Sequence, residues 1–213
     1  MNVAQNALTR RSFLRQASSA AVLLPSCAFV VSSLSGCNRD RVHAADENKA
    51  VSWKATIVSD KEPGEPLTIS GTIYAVDGKT PLKAATLWVY QTDAAGKYST
   101  SGGDNRYTRI HGQMRTGVDG RYEFRTIKPA SYPGSRVPAH IHASVSAPGF
   151  PEYWIDEYWF EGDRFITEEE RKKVHHREGT FASILKLTRG SDGVLHGMRD
   201  IQIERCSTNC VKR

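Results

Sequence analysis

Two histidines separated by one residue, His140 and His142, are the residues whose types and spacing suggest chemistry most directly. Side chains two residues apart on a β-strand leave the same face, so both imidazoles would point to one side. Paired imidazoles are a natural start to a metal site. Pro138 would open this strand, Ile141 would face the opposite side, and Tyr132 lies eight residues upstream. Such a pair also fits an ordinary solvent-facing strand, and that alternative stays open here.

The other residues that bind metals do not form a second pattern of this kind. His175 and His176 would project about 100° apart on a helix, which does not suit joint chelation. Cys206 and Cys210 lie near the C-terminus, and no second Cys or His pair of suitable spacing accompanies them. A small local disulfide or two free thiols therefore fits these cysteines better than a zinc site.

Short β-strands are the elements predicted to position these residues. From Val51 onward, apolar and β-branched runs alternate with Asp-Gly and similar turn signals. The predicted strands are Leu67–Val76, Ala85–Thr92, Arg121–Ile127, His140–Ser146, Trp154–Phe160, Ala182–Thr188 and Ile201–Glu204. Only Thr167–His176 is predicted to be helical, with Thr167 as its N-cap. The pattern predicts an all-β fold, an antiparallel β-sandwich with one short helix and long loops.

Charge does not indicate a partner among the nucleic acids. The chain has 213 residues and a formal net charge of +6, but residues 1–36 contain three arginines and no acid. Half of the basic excess therefore lies in a segment that looks removable, and the rest is an ordinary surface balance. A composition of 39% hydrophobic and 24% charged residues excludes a disordered chain and predicts one soluble domain.

The N-terminal segment has the pattern of an export signal. Arg10 and Arg11 precede an uncharged stretch at 16–36 that is rich in Ala, Val, Leu and Ser, as in twin-arginine signals. Cys37 ends a stretch that resembles a bacterial lipobox, and cleavage near 44–45 is the alternative. The predicted parts are a signal at 1–36, a polar tether at 37–50 and a domain at 51–213. We therefore expect a periplasmic or cell-surface protein, whose only membrane contact would be a lipid anchor at Cys37.

Several ordered blocks of the domain resemble the intradiol ring-cleavage dioxygenases, the group that contains protocatechuate and catechol dioxygenases. The blocks are LWVYQTDAAGKY at 87–98, TGVDGRYEFRTIKPASYP at 116–133, PAHIH at 138–142 and EYWFEGD at 157–163. They cover most of the predicted domain, and their order is more specific than any single block.

The resemblance implies a set of four ligands for a non-haem Fe(III) ion. The family's ligands fall on Tyr98, Tyr132, His140 and His142. Two hard phenolate oxygens and two imidazoles favour Fe(III) over Fe(II), and a bound ferric ion removes the phenol protons. The implied reaction uses O2 to cleave a catechol-type ring between its hydroxylated carbons, giving a cis,cis-muconate. Tyr132 would be the ligand that leaves and accepts a substrate proton.

Two departures from the family pattern concern residues beside these ligands. The family places Arg directly before the Pro of PAHIH, whereas this chain has Val137 there and Arg136 one residue earlier. The family's Gln aligns with Glu157. We expect Arg136 and Glu157 to form an ion pair that replaces the usual Arg and Gln.

The substrate's ring substituents and the oligomeric state are not indicated by the sequence. Arg106 or Arg109 could receive a substrate carboxylate or could simply be solvated. A non-catalytic cell-surface β-sandwich that binds its ligand is the alternative to an enzyme, although a scaffold has no reason to hold all four ligands. A zinc hydrolase built on the two histidines ranks third, because no carboxylate or third histidine lies at a recognisable spacing.

Overall fold

The structure, a computed structural model, describes residues 51–99, 105–173 and 179–205. The chain divides into two units, Met1–Ala45 and Asp46–Arg213, and every described residue belongs to the second unit. The predicted export signal, lipid site and polar tether lie outside the described residues, as do the His175–His176 and Cys206–Cys210 pairs. Among the described helices, none has the length and apolar character needed to cross a bilayer.

The described residues form eleven strands, one α-helix and two short 3-10 helices, Asn105–Tyr107 and Gly179–Phe181. The strands are β1 (Lys54–Thr56), β2 (Pro66–Tyr74), β3 (Thr86–Gln91), β4 (His111–Arg115), β5 (Arg121–Ile127), β6 (His140–Ala147), β7 (Phe150–Phe160), β8 (Ile184–Leu185), β9 (Thr188–Arg189), β10 (Leu195–Met198) and β11 (Ile201–Gln202). Each of the seven predicted strands overlaps at least one of these. The sequence analysis missed β1, β4 and β10.

Two sheets form the sandwich, and their pairing is mixed rather than purely antiparallel. One sheet has the order β1-β5-β2-β10-β9, with β11 also paired to β2, and the other has the order β4-β3-β6-β7-β8. The pairs β1–β5, β2–β10, β2–β11 and β7–β8 are parallel, which corrects the antiparallel prediction. Turn signals reveal hairpins, whose strands are antiparallel, whereas these parallel pairs join segments that are distant in the chain.

The helix α1 (Glu168–Lys173) lies in the connection between β7 and β8. Its first turn contains three glutamates, as the helix dipole favours. The backbone N–H of Glu170 donates to the Thr167 hydroxyl at 3.1 Å, so Thr167 caps the helix, as predicted. The remainder of the predicted Thr167–His176 helix lies outside the described residues.

One apolar core lies between the two sheets. The side chains of Ile69 and Phe124 from the first sheet and of Leu87 and Ile141 from the second are fully buried in it. The ring of Phe124 packs edge-on against Tyr158, with 6.0 Å between the ring centroids. Because side chains alternate along a strand, the faces of β3 and β6 that point away from this core are available to position polar and aromatic side chains.

Candidate metal centre

Four side chains that the sequence predicted as ligands converge on one point beside β6, the central strand of the second sheet. The hydroxyl oxygens of Tyr98 and Tyr132 lie 2.7 Å apart. The Tyr132 oxygen lies 3.0 Å from His140 Nε2 and 3.2 Å from His142 Nε2. The two Nε2 atoms are 3.0 Å apart, and His142 Nε2 is 3.0 Å from the Tyr98 oxygen.

β6 and two loops supply these side chains. His140 and His142 lie on β6, two residues apart, as the sequence predicted. Tyr98 follows a turn in which the Asp93 carboxylate accepts hydrogen bonds from two backbone N–H groups. Tyr132 lies in the loop between β5 and β6.

Close contact between the two loops brings the tyrosines together. Gly96 has φ of +74°, and a Cβ there would lie 2.0 Å from the carbonyl oxygen of Ser131. The Thr92 hydroxyl donates to the Ala130 carbonyl at 2.8 Å, and the Ala130 N–H donates to the Asp93 carbonyl at 3.2 Å. The loops therefore approach each other at a position that only glycine tolerates.

Hydrogen bonds on the outer nitrogens fix the tautomers of both histidines. His140 Nδ1 lies 2.7 Å from the Pro138 carbonyl oxygen, which can only accept, so Nδ1 carries the proton. His142 Nδ1 lies 2.9 Å from Glu157 Oε1, and the carboxylate likewise accepts the Nδ1 proton. In the neutral form of both imidazoles Nε2 is therefore unprotonated, and the two lone pairs are directed at the same point.

The donor set fits a bound cation. Two imidazole lone pairs 3.0 Å apart repel each other unless a positive charge lies near both. Donor atoms that share one first-row metal ion at about 2 Å lie about 3 Å from each other, as the atoms in five of the six donor pairs here do. Phenol oxygens combined with imidazoles suit a ferric ion. The residues present therefore fit the non-haem iron that the sequence predicted.

Glu157 belongs to the same cluster but does not face the point of convergence. One ligand atom each from His140, His142 and Glu157 lies within 4.8 Å of the others, an arrangement that can resemble a metal triad. However, the Glu157 carboxylate binds the outer nitrogen of His142, and its other oxygen accepts from Trp159 Nε1 at 3.2 Å. We therefore interpret Glu157 as an outer partner that orients His142, an arrangement common around metal-binding histidines.

Burial shifts the pKa values of these groups in the absence of a metal. Desolvation and the hydrogen bond with Tyr132 raise the pKa of Tyr98 far above its usual range, and desolvation raises the pKa of Tyr132. Desolvation lowers the pKa of His140, which keeps this imidazole neutral. Burial alone would raise the pKa of Glu157, but the hydrogen bond from His142 and the nearby imidazoles outweigh it and lower the pKa to about 2.

The predicted ion pair between Arg136 and Glu157 is not formed. Both oxygens of the Glu157 carboxylate are already engaged, by His142 and by Trp159. Arg136 is exposed in the loop that follows Tyr132. The prediction is wrong because it relied on two sequence changes occurring together, whereas the register of β7 decides which group Glu157 meets.

The two arginines considered for a substrate carboxylate are both paired within the chain. Arg106 forms an ion pair with Glu152, and Arg109 forms one with Glu62. The Arg106 guanidinium also lies over the rings of Trp88 and Trp154, 5.7 Å and 5.3 Å from their centroids.

An aromatic neighbour of the site was missed in the sequence. The ring of Tyr90 stacks on His142, with 4.5 Å between centroids and 20° between the planes. Tyr90 lies directly opposite His142 in the β3–β6 pairing. Alternation along β3 identifies the face that Tyr90 occupies, but nothing local in the sequence predicts its partner strand.

Known proteins are similar to this chain in sequence and in architecture. The Dioxygenase_C family model, described as Dioxygenase, matches residues 42–178. The chain is 33% identical over 126 residues to a chlorocatechol 1,2-dioxygenase of Cupriavidus pinatubonensis, covering 52% of this chain and 49% of that protein. It spans about half the length of the curated relatives it matches.

Solved structures also resemble this one, among them the following two. The dioxygenase domain of a dioxygenase carbohydrate-binding protein fusion from Streptomyces sp. SirexAA-E matches with a TM-score of 0.56 and 28% identity, over 74% of this chain and 92% of that chain. Catechol 1,2-dioxygenase from Acinetobacter sp. ADP1 matches with a TM-score of 0.59 and 22% identity, over 77% of this chain and 63% of that chain. The second likeness concerns the fold alone.

Proposed function

Because this chain belongs to the intradiol ring-cleavage dioxygenase family, we propose that it cleaves a catechol-type ring between the two hydroxylated carbons. Both atoms of O2 would enter the product, a cis,cis-muconate-type diacid. The observation that supports the proposal is the convergence of two phenol oxygens and two imidazole Nε2 atoms, which are joined by five contacts of 2.7–3.2 Å.

In this proposal a non-haem ferric ion is held by Tyr98, Tyr132, His140 and His142. When bound, such an ion would supply positive charge that lowers the pKa of the phenols and attracts the oxygens of a catechol. The chain's contribution is to hold four donor atoms ready, with both histidine tautomers already fixed by Pro138 and Glu157.

Tyr132 is the residue proposed to move a proton. Its oxygen contacts the Tyr98 oxygen and both Nε2 atoms, whereas the Tyr98 oxygen contacts only Tyr132 and His142 within this set. Burial raises the pKa of both tyrosines, so a phenolate at either position takes up a proton readily, and the family resemblance assigns this role to Tyr132. We assign to Tyr132 the acceptance of a proton from a catechol hydroxyl as the substrate binds, while Tyr98 stays in place.

Glu157 and Arg136 are proposed to act in different ways. Glu157 keeps His142 oriented through the bond between its carboxylate and Nδ1. Arg136 lies four residues after Tyr132 on the same exposed loop, where a bound substrate could meet its guanidinium. If Arg136→Ala leaves the turnover of catechols intact, Arg136 has no catalytic role.

Incubation with catechol and 18O2 tests the proposed reaction. The expected product is a ring-opened diacid that contains two labelled oxygen atoms, measured by mass spectrometry. The control variant is Tyr107→Phe, which changes an exposed tyrosine outside the donor set. It should give the same labelled product as the wild type. An iron-loaded chain that binds catechols but releases no ring-opened product would instead support the non-catalytic binding module.

We further propose that the chain is exported through the twin-arginine route and acts in the periplasm or at the cell surface. The proposal rests on the Arg10–Arg11 pair and the uncharged stretch that follows it. Replacing both arginines with lysine should retain the chain in the cytoplasm, as cell fractionation would measure. Labelling with a radioactive fatty acid that disappears in Cys37→Ser would support the lipid anchor, whereas unchanged release of a soluble form would support cleavage near 44–45.

A further inference from the structure

An irregularity in β7 explains why Glu157 faces His142. Between the pairs Ile141–Tyr158 and Ala143–Ile155, β6 advances two residues while β7 advances three. The extra residue makes a β-bulge, and bulges change the direction of the side chains beside them. Glu157 lies within this stretch, so its carboxylate reaches the outer nitrogen of His142 only while the bulge keeps its form.

A buried arginine binds the backbone of this bulge from inside the core. Arg199 is 5% exposed, and its Nη1 donates to the carbonyl oxygen of Asp156 at 2.7 Å. Its guanidinium also lies over the ring of Tyr158, 4.6 Å from the centroid. Asp156 and Tyr158 are the residues on either side of Glu157, so Arg199 contacts the chain directly before and directly after it.

The backbone of Arg199 is fixed to the opposite sheet. Its N–H donates to the Ser70 carbonyl at 2.9 Å, and its carbonyl accepts from the Tyr122 hydroxyl at 2.6 Å. A Cβ at Gly71 would lie 1.7 Å from the Arg199 carbonyl oxygen, so only glycine permits this approach. The side chain therefore links the first sheet to the bulge in the second.

Burying this guanidinium is expensive. Among the described residues, no carboxylate lies within ion-pair distance of Arg199, and Nε has no hydrogen-bond partner. An apolar side chain of similar length would fill the core without the desolvation cost of a charge. The contact that an apolar side chain could not replace is the hydrogen bond to the Asp156 carbonyl.

We propose that Arg199 is a positioning residue for the metal centre, holding the Asp156 carbonyl so that the bulge aims Glu157 at His142. This inference rests on the metal centre of the proposed function. It adds a part of the core, on the other side of the second sheet, to the groups that determine the orientation of a ligand.

Ferric iron titrations of four variants test this role. Glu157→Ala should weaken ferric binding by about 10–100-fold, the usual range for outer partners of metal ligands. Arg199→Met should weaken it about tenfold and shift the visible absorption of the iron-loaded chain. The double variant should bind iron no more weakly than Glu157→Ala alone, because Arg199 acts through Glu157. Tyr122→Phe is the control, since it removes a bond to the Arg199 backbone and leaves the guanidinium contact in place.

The outcomes separate this inference from the proposed function. Two results would overturn the positioning role. One is equal iron affinity in the wild type and Arg199→Met. The other is a loss of affinity from Arg199→Met that is as large in the Glu157→Ala background as in the wild type. If Arg199→Met does not fold, Arg199→Gln keeps a donor for the carbonyl and is measured in the same way. Failure of the wild type to bind iron contradicts the proposed function instead. In that case the Nδ1 proton resonance of His142 in the metal-free chain decides, because it should change in Arg199→Met, which removes the donor to the Asp156 carbonyl, and stay unchanged in Tyr122→Phe.

Discussion

Two pairs of tyrosines lie in this sandwich with nearly the same separation and opposite surroundings. The Tyr98 and Tyr132 oxygens are 2.7 Å apart in partly buried loops, and the Tyr122 and Tyr158 oxygens are 3.0 Å apart in the core. In the core, Tyr158 donates to Tyr122 and Tyr122 donates to the Arg199 carbonyl at 2.6 Å, so each hydroxyl proton has an acceptor.

At the candidate metal centre, by contrast, the hydroxyl protons are too few to form a hydrogen bond in every contact. Five short contacts join the two hydroxyls and the two unprotonated Nε2 atoms, but only two protons are available. One pair of tyrosines therefore completes a hydrogen-bond network, and the other leaves lone pairs directed at one another. What marks a metal centre here is the excess of acceptors over protons rather than the tyrosines themselves.

Removing an imidazole from the candidate metal centre should have the largest effect on iron binding. His140→Ala deletes a donor atom, so ferric affinity should fall by more than about 100-fold, beyond the loss typical of outer partners. His196→Ala is the matched control, because His196 is exposed and lies beside Asp192. Iron content per chain after dialysis distinguishes the two variants, and equal retention of iron by both would contradict the assignment of His140.

Separating the two loops that contain Tyr98 and Tyr132 should have the next largest effect on iron binding. Gly96→Ala places a methyl group against the Ser131 carbonyl, so it should cost about 1–3 kcal/mol of stability and also lower iron affinity about tenfold. Gly134→Ala is the control, since Gly134 has a similar φ of +75° but nothing within 4 Å of its added Cβ. Gly134→Ala should lose stability from backbone strain alone and bind iron normally, as thermal unfolding and iron titration would measure.

Changes to the two tyrosines in the core, Tyr122 and Tyr158, should lower stability and leave iron binding unchanged. Tyr122→Phe leaves the Arg199 carbonyl and the Tyr158 hydroxyl without a partner in the core, so it should lower the free energy of unfolding by about 1–3 kcal/mol. Tyr158→Phe should cost less, because Tyr122 can still donate to Arg199. Denaturant unfolding with a parallel iron assay checks both. Loss of iron binding in Tyr158→Phe would remove the distinction between the two pairs.

Alkaline pH should weaken the fold gradually through the core pair. Burial raises the pKa values of Tyr122 and Tyr158, while a tyrosine in the unfolded chain ionises near pH 10. The unfolded state therefore loses protons first, so stability is full below about pH 10 and falls above it, by up to about 1.4 kcal/mol per pH unit for each tyrosine. Metal-free Tyr158→Phe should show a shallower decline, and an unchanged slope would argue against this assignment.

Local signals predicted much of this molecule. The two histidines share a face of β6, as spacing indicated, and Thr167 begins the helix. Tyr98 and Tyr132 are placed together as the resemblance implied. These features depend on neighbouring residues or on complete sequence blocks.

Long-range contacts account for what could not be predicted. The parallel partners of β2 come from the end of the described chain, and no turn signal indicates them. The direction of Glu157 depends on one extra residue in the pairing of β7, which moved it from the expected Arg136 to His142. Arg199 has an ordinary setting in the sequence, and only the approach of two sheets shows that its guanidinium reaches Asp156.

The visible spectrum during a titration of the metal-free chain with ferric iron shows whether tyrosines bind the metal. We expect a red-brown band that saturates at about one iron per chain, because phenolates bound to ferric iron absorb visible light. The band should be absent or strongly shifted in Tyr98→Phe and unchanged in Tyr122→Phe. A chain that stays colourless with added iron, or a band that Tyr98→Phe leaves unaltered, would contradict the assignment of these donor atoms.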